Sequence, residues 1–268
     1  MKTALTSFAA LALGTTAIFA QDRFEMPVTG DVLPGWVQSD GSRIAALRVD
    51  LAPGWKTYWR APGDAGIPPR FDWSGSRNLH SVAVNWPAPK VFDQNGYRSV
   101  GYENTLIIPL HIEATQSGAP IQLNAQMELG ICSDICIPHE MEFSAVIDGA
   151  QRTPTPSIAA ALAAQPYSAS EAGVDSAECR VRPTSDGLQI EARITMPSAG
   201  GEEYVVIESG LDDVWVSEAN TSRTGGTVTA VSEMAHVNGG PIALDRSNVR
   251  ITVLGDSYAV DVRGCTAG

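Results

Sequence analysis

Two cysteines, Cys132 and Cys136, sit in a short connector between two stretches that alternate apolar and polar side chains without a slip, Ile121–Leu129 and Glu140–Ile147. A period of two marks a half-buried strand, because successive side chains of a strand point to opposite faces. The thiol pair is therefore expected where one strand ends and the next begins. Thiols placed there have no helix N-terminus to activate them, and the arrangement asks for a β-rich host.

The rest of the chain can supply that host. Of its 268 residues 44% are hydrophobic, enough for one large domain or two of ordinary size. The formal net charge of −12 comes without a basic patch, which speaks against nucleic acid or an anionic membrane surface as a partner. Residues 1–20 read as a secretory signal, with Lys2 at its start, an apolar centre over Ala4–Ala17 and a cleavage site at Ile18-Phe19-Ala20. Beyond them no apolar run approaches the roughly 20 residues of a membrane helix, so membrane insertion is not expected. The sequence predicts an exported, periplasmic protein. That compartment permits disulfides, and four cysteines is an even number.

Residues 21–148 pattern as one all-β unit. Arg43–Leu51 is a strand ended by Pro53-Gly54, and Pro62–Pro69 must be irregular. Phe71–Trp73 and Ser81–Trp86 are short strands, and Pro87–Gly101 is a long loop. Thr105–Glu113 is a strand whose Pro109 favours an edge position or a bulge. Residues 149–172 read as a linker with one helix over Ile158–Gln165, capped by Ser157 and stopped by Pro166. Residues 173–268 carry strand candidates at Glu178–Arg182, Leu188–Met196, Glu203–Ser209, Asp213–Glu218, Thr227–Ser232, Asn248–Leu254 and Tyr258–Arg263. The expected fold class is all-β: two immunoglobulin-like β-sandwich domains joined by a short linker with one helical segment.

A bridge between Cys132 and Cys136 would close a very small ring. Cross-linking a long loop stabilises by about 4 kcal/mol, and a short one by clearly less. The pair is thus a poor staple and a convenient redox switch. The charges closest in sequence, Glu128, Asp134 and Glu140, are acidic and disfavour a thiolate, so the thiols are expected to react slowly until a partner docks. A competing reading adds His139: two thiolates and an imidazole suit Cu(I), whereas zinc would want a fourth ligand. Cys179 and Cys265 stand near the first and last strands of the second unit, and a structural disulfide there would enclose most of it. Tyr58, Trp59, Phe92, Tyr97 and Tyr102 are expected to pack in the core or at edges, some of them shielding the thiols, and Trp215 and Tyr258 to lie in the second core. His80, His111 and His236 carry no assignment. Asn220-Thr221-Ser222 matches a glycosylation acceptor. GxSxG, HExxH, a Walker loop and a strand-linked GxGxxG are all missing, so no hydrolase or nucleotide machinery and no cofactor is expected.

Four runs in order resemble the periplasmic N-terminal domain of the DsbD/ScsB thiol-disulfide interchange proteins: Gly54–Pro69, Asn85–Pro89, Gly101-Tyr102 and Leu129–Pro138. The similarity spans most of residues 24–148, and the second β unit fits the ScsB-like branch. The resemblance implies an immunoglobulin-like domain whose cysteine pair takes electrons from a membrane-embedded partner and hands them to periplasmic disulfide proteins. By that resemblance Cys132 and Cys136 are the exchanging pair. Phe92–Gly101 is then a cap loop, with Phe92, Asp93 and Tyr97 as shielding residues, and Tyr58 lies beside the sulfurs. DsbD spaces its cysteines more widely and continues into membrane helices and a thioredoxin-like domain. The expected electron source is therefore a membrane thiol reductant on a separate chain, and the expected acceptors are periplasmic thioredoxin-like or disulfide proteins. The other readings are a Cu(I)-binding copper-resistance protein using Cys132, Cys136 and His139, and a non-catalytic adhesion or assembly module.

Overall fold

The structure is a computed structural model that describes residues 26–268 except Ala65 and Asn95. The signal read over residues 1–20 lies outside the described residues. The first domain is built from β1 (Val28–Val37), β2 (Arg43–Leu51), β3 (Lys56–Tyr58), β4 (Arg70–Asp72), β5 (Leu79–Val84), β6 (Lys90–Gln94), β7 (Tyr97–Glu103), β8 (Thr105–Ala114), β9 (Ile121–Cys132) and β10 (Cys136–Ile147). They pair into two antiparallel sheets, β1-β2-β8-β5 and β10-β9-β3-β7-β6, with β4 also paired to β9.

The alternation that begins at Ile121 runs on to Ile131. Ile121, Leu123, Ala125, Met127, Leu129 and Ile131 are each at most 3% exposed and line one face of β9. They pack in one core with Leu47 and Val49 of β2 and Ile108 and Leu110 of β8. A fully buried aliphatic side chain contributes about 1.5–3 kcal/mol. A slip of one residue would turn this whole set to solvent, so the register of β9 is firmly fixed.

Three local expectations are corrected. The strands run up to the cysteines themselves, so the loop shrinks to Ser133–Ile135, closed by Ser133 N–H donating to Ile135 O at 3.0 Å. Pro138 is tolerated within β10 because that strand lies at the sheet edge. The segment expected as a long loop over Pro87–Gly101 contains the β6–β7 hairpin, in register from Lys90↔Gly101 to Gln94↔Tyr97. Its turn is held by Gly96 N–H donating to the Asp93 carboxylate at 3.2 Å, with Gly96 at φ +86°. Pro109 lies on the central strand β8 and not at an edge. Its carbonyl accepts from Asn85 N–H at 2.8 Å, so its missing donor faces the side where β5 has already ended at Val84.

The helix α1 spans Pro156–Ala163 with Thr155, not Ser157, at its N-cap position, where the Thr155 hydroxyl donates to Pro34 O at 2.9 Å instead of capping, and with Pro156 in the first turn where its missing N–H is harmless. Ile158 is fully buried against Ile44 and Ala46, which alternate with the core-facing residues of β2 and so lie on the sheet's outer face. The strand β11 (Tyr167–Ser168) already belongs to the next domain, where it pairs in parallel with β19 (Ala259–Arg263).

The second domain contains β12 (Ser176–Pro183), β13 (Leu188–Thr195), β14 (Tyr204–Glu208), β15 (Val214–Val216), β16 (Asn220–Thr224), β17 (Thr227–His236), β18 (Arg250–Leu254), β19 and β20 (Thr266–Ala267). Its sheets are β11-β19-β18-β14 and β15-β17-β13-β12-β20, with β16 also on β17. The whole is all-β, two immunoglobulin-like sandwiches with one short helix between them. The polar strand β16 lacks a clear apolar period and was not expected. Trp215 is 46% exposed, against expectation, because β15 buries Val214 and turns the next side chain outward at the sheet edge. Tyr258 does pack partly buried against the second core.

Cys179, on β12 and fully buried, is bridged to Cys265 across a sequence separation of 86. Replacing both by alanine is expected to cost about 4 kcal/mol of second-domain stability. Urea unfolding of the double variant measures this, and an unchanged midpoint would show that the bridge is no staple.

Candidate redox site

Because odd positions of β9 face the core, even positions face outward, and Cys132 is one of them. Its partner in the ladder is Cys136, with 4.2 Å between the Cα atoms, and the two form a disulfide. The two sulfurs differ in access. Cys132 is fully buried, whereas Cys136 is exposed at the start of the edge strand β10. Beside it the loop tip presents Ile135, 63% exposed.

Tyr58 lies against the pair. Its hydroxyl lies 2.9 Å from Cys132 Sγ and 3.2 Å from Cys136 Sγ. Neither sulfur of a disulfide carries a proton, so the hydroxyl is the donor. Burial raises the Tyr58 pKa above the usual tyrosine value, so the proton stays on it at neutral pH. The ring is seated between two glycines. A Cβ on Gly130 would lie 2.9 Å from Tyr58 Cδ2 and Cε2, and one on Gly66 would lie 3.0 Å from Tyr58 Cδ1. Thr57, also buried, donates its hydroxyl to Gly130 O at 2.9 Å and fixes β3 against β9.

The cap residues named from the sequence belong to the β6–β7 hairpin. Phe92 is on β6, its ring 4.7 Å from the Lys56 ammonium, and Asp93 is engaged in its own hairpin turn. Tyr97 opens β7. His139 falls on the opposite face of β10 from Cys136, so the proposed Cys132, Cys136, His139 donor set does not converge. No group of three metal-ligating side chains occurs among the described residues.

The electrostatic setting also differs from the one read along the chain. The register partner of Cys132 on β3 is Lys56, a cation distant in sequence. Burial lowers the Lys56 pKa, against an upward pull from Glu103. Glu128 has Arg70 as its register partner on β4. Lys56, Gly66 and Gly130 were not singled out from the sequence. Only Gly130 left a trace, as a side-chain-free residue at an outward position of the alternating strand.

Residues 29–148 match the family model of the N-terminal domain of the thiol:disulfide interchange protein DsbD. The fold as a whole is similar to the crystal structure of the N-terminal periplasmic domain of ScsB from Proteus mirabilis. That match has a TM-score of 0.65 at 22% sequence identity and covers 90% of this chain and 92% of that chain. No curated protein matches the chain.

Gly130→Ala is expected to push the Tyr58 ring off the sulfurs, at a stability cost of about 1–3 kcal/mol for overpacking. The disulfide should then be reduced faster by dithiothreitol, followed by thiol labelling. If the rate does not change, the ring is not the guard of this bond.

Proposed function

Since residues 29–148 belong to the family of DsbD N-terminal domains, we propose that the chain is a periplasmic thiol–disulfide interchange protein working through Cys132 and Cys136. The observation that supports this most is the pair itself: two bonded sulfurs at the turn of a hairpin, one exposed and one buried, with a tyrosine hydroxyl that reaches both.

In the reduced protein the Cys136 thiolate attacks a disulfide of the acceptor protein. A mixed disulfide forms and one acceptor sulfur leaves as a thiolate. Cys132 then attacks the Cys136 sulfur, the second acceptor sulfur leaves, and the Cys132–Cys136 bond is formed. Two electrons and two protons have passed to the acceptor. Tyr58 donates a hydrogen bond to whichever sulfur carries negative charge. A membrane thiol reductant on a separate chain restores the dithiol by the same steps in reverse, and the acceptors are periplasmic thioredoxin-like or disulfide proteins. In this reading residues 21–148 are the redox domain, 149–172 the linker, whose β11 end is already paired into the second sandwich, and 173–268 a second domain stapled by Cys179–Cys265. The β6–β7 hairpin, with Phe92, Asp93 and Tyr97, takes the place of the cap.

Cys132→Ala is expected to trap a mixed disulfide through Cys136 in cells, seen as a thiol-sensitive adduct on non-reducing gels. Cys136→Ala should trap none, since the remaining sulfur is buried. Should the adduct form only in Cys136→Ala, the two sulfurs have the opposite roles. Absence of an adduct in both, with the pair always oxidised, would remove exchange as the function.

A further inference from the structure

Tyr58 ends a strand of three residues, and so short a strand fixes its last side chain poorly on its own. The turn that follows is laced to β7. Trp59 N–H donates to Val100 O and Val100 N–H donates to Pro62 O, each at 2.9 Å. Each of these two segments carries an arginine that reaches into the second domain. Arg60 stacks 3.8 Å from the centroid of the Trp59 ring. It forks onto Glu208 of β14, Nε to Oε1 at 3.1 Å and Nη2 to Oε2 at 2.8 Å, with Thr252 Oγ1 at 3.4 Å from Nη2. Arg98, on β7, meets Glu218 at 2.5 Å and lies 4.8 Å over the Tyr204 ring. Between them Glu218 N–H donates to the Asp64 carboxylate at 3.2 Å.

The Arg60–Glu208 pair is not a loose surface pair. The Arg60 and Glu208 side chains are 14% and 25% exposed, so removing one charge leaves the other poorly solvated. Apolar contact supports them, since Tyr204, Leu254 and Ala259 of the second domain are buried in the first domain's core cluster. The turn that carries Tyr58 is thus held from outside its own domain.

We propose that the second domain is a working part of the thiol site: through Arg60–Glu208 and Arg98–Glu218 it holds the 58–62 turn so that the Tyr58 hydroxyl stays on both sulfurs. Arg60 and Arg98 are then positioning residues, acting through Tyr58. A docking partner that disturbs either clamp frees the ring and opens Cys132. The use of this device rests on the exchange reading above, but its test does not.

The test is the rate at which dithiothreitol reduces the Cys132–Cys136 bond in the full oxidised chain. Glu208→Gln and Glu218→Gln keep shape and remove one charge each. Tyr58→Leu removes the lid and keeps an apolar filler. Each is expected to speed reduction by about threefold or more, the scale of coupling between residues in one contact network. In the Tyr58→Leu background the two glutamine substitutions should add nothing, because the lid through which they act is gone. A general loosening of the fold would instead add in both backgrounds, and that result overturns the proposal. So does a rate in Glu208→Gln/Glu218→Gln equal to that of the unaltered protein. As a second measurement, amide exchange at Trp59, whose N–H bonds Val100 O, should accelerate in the glutamine variants, and unchanged protection there also counts against the clamp. Absence of partner adducts in cells, with the reduction rates responding as expected, would strike the exchange reading alone.

Discussion

Six alternate side chains of β9, from Ile121 to Ile131, are pressed into the first core, and that burial sets where everything else can go. With the odd positions turned inward, Cys132 must turn outward, and antiparallel pairing places Cys136 opposite it. The same parity puts Gly130 on the outer face, where its missing side chain leaves room for the Tyr58 ring. The chemistry at this end of the sandwich therefore follows from a packing constraint that has nothing to do with sulfur. A β9 shifted by one residue would bury the thiol in hydrocarbon and expose the aliphatic row.

The two disulfides divide their labour according to the length of chain they enclose. Cys179–Cys265 spans 86 positions, so closing it removes much conformational freedom from the unfolded chain. Cys132–Cys136 spans 4, and the hairpin around it is already held by the β9–β10 ladder and by Met127, Met141 and Phe143 in the core. Making or breaking that bond leaves the fold's main stabilising terms in place. A bond meant to be opened repeatedly is best placed where the domain does not rely on it.

The Tyr58 hydroxyl reaches both sulfurs, and its ring is positioned by contacts drawn from three places. Gly130 and Gly66 provide the slot, Thr57 ties β3 to β9, and the turn after Tyr58 leans on the second domain through Arg60. The last of these contacts joins two domains whose apolar surfaces also merge at Tyr204, Leu254 and Ala259. Ion pairs that are partly desolvated and backed by apolar packing hold geometry better than exposed pairs of the same length, which water and salt screen.

The sequence by itself determined the strands and the thiol pair between them, because a period of two and a short cysteine spacing are local properties written along the chain. It also marked Cys179 and Cys265 as ends of one domain, and the runs Gly54–Pro69 and Leu129–Pro138 pointed to the family of the first domain. Local pattern misled where the deciding contact was distant. Pro109 suits a central strand only because β5 stops beside it, and the Pro87–Gly101 segment folds as a hairpin because β7 finds β3. Trp215 faces water because β15 is an edge. Only the tertiary structure decided which sulfur is reachable, that Lys56 and not an acid is the register partner of Cys132, and that Arg60 and Arg98 bind the second domain. Each of those depends on residues tens to well over a hundred positions apart meeting across strands or domains. No periodicity along one segment encodes which other segment will lie beside it.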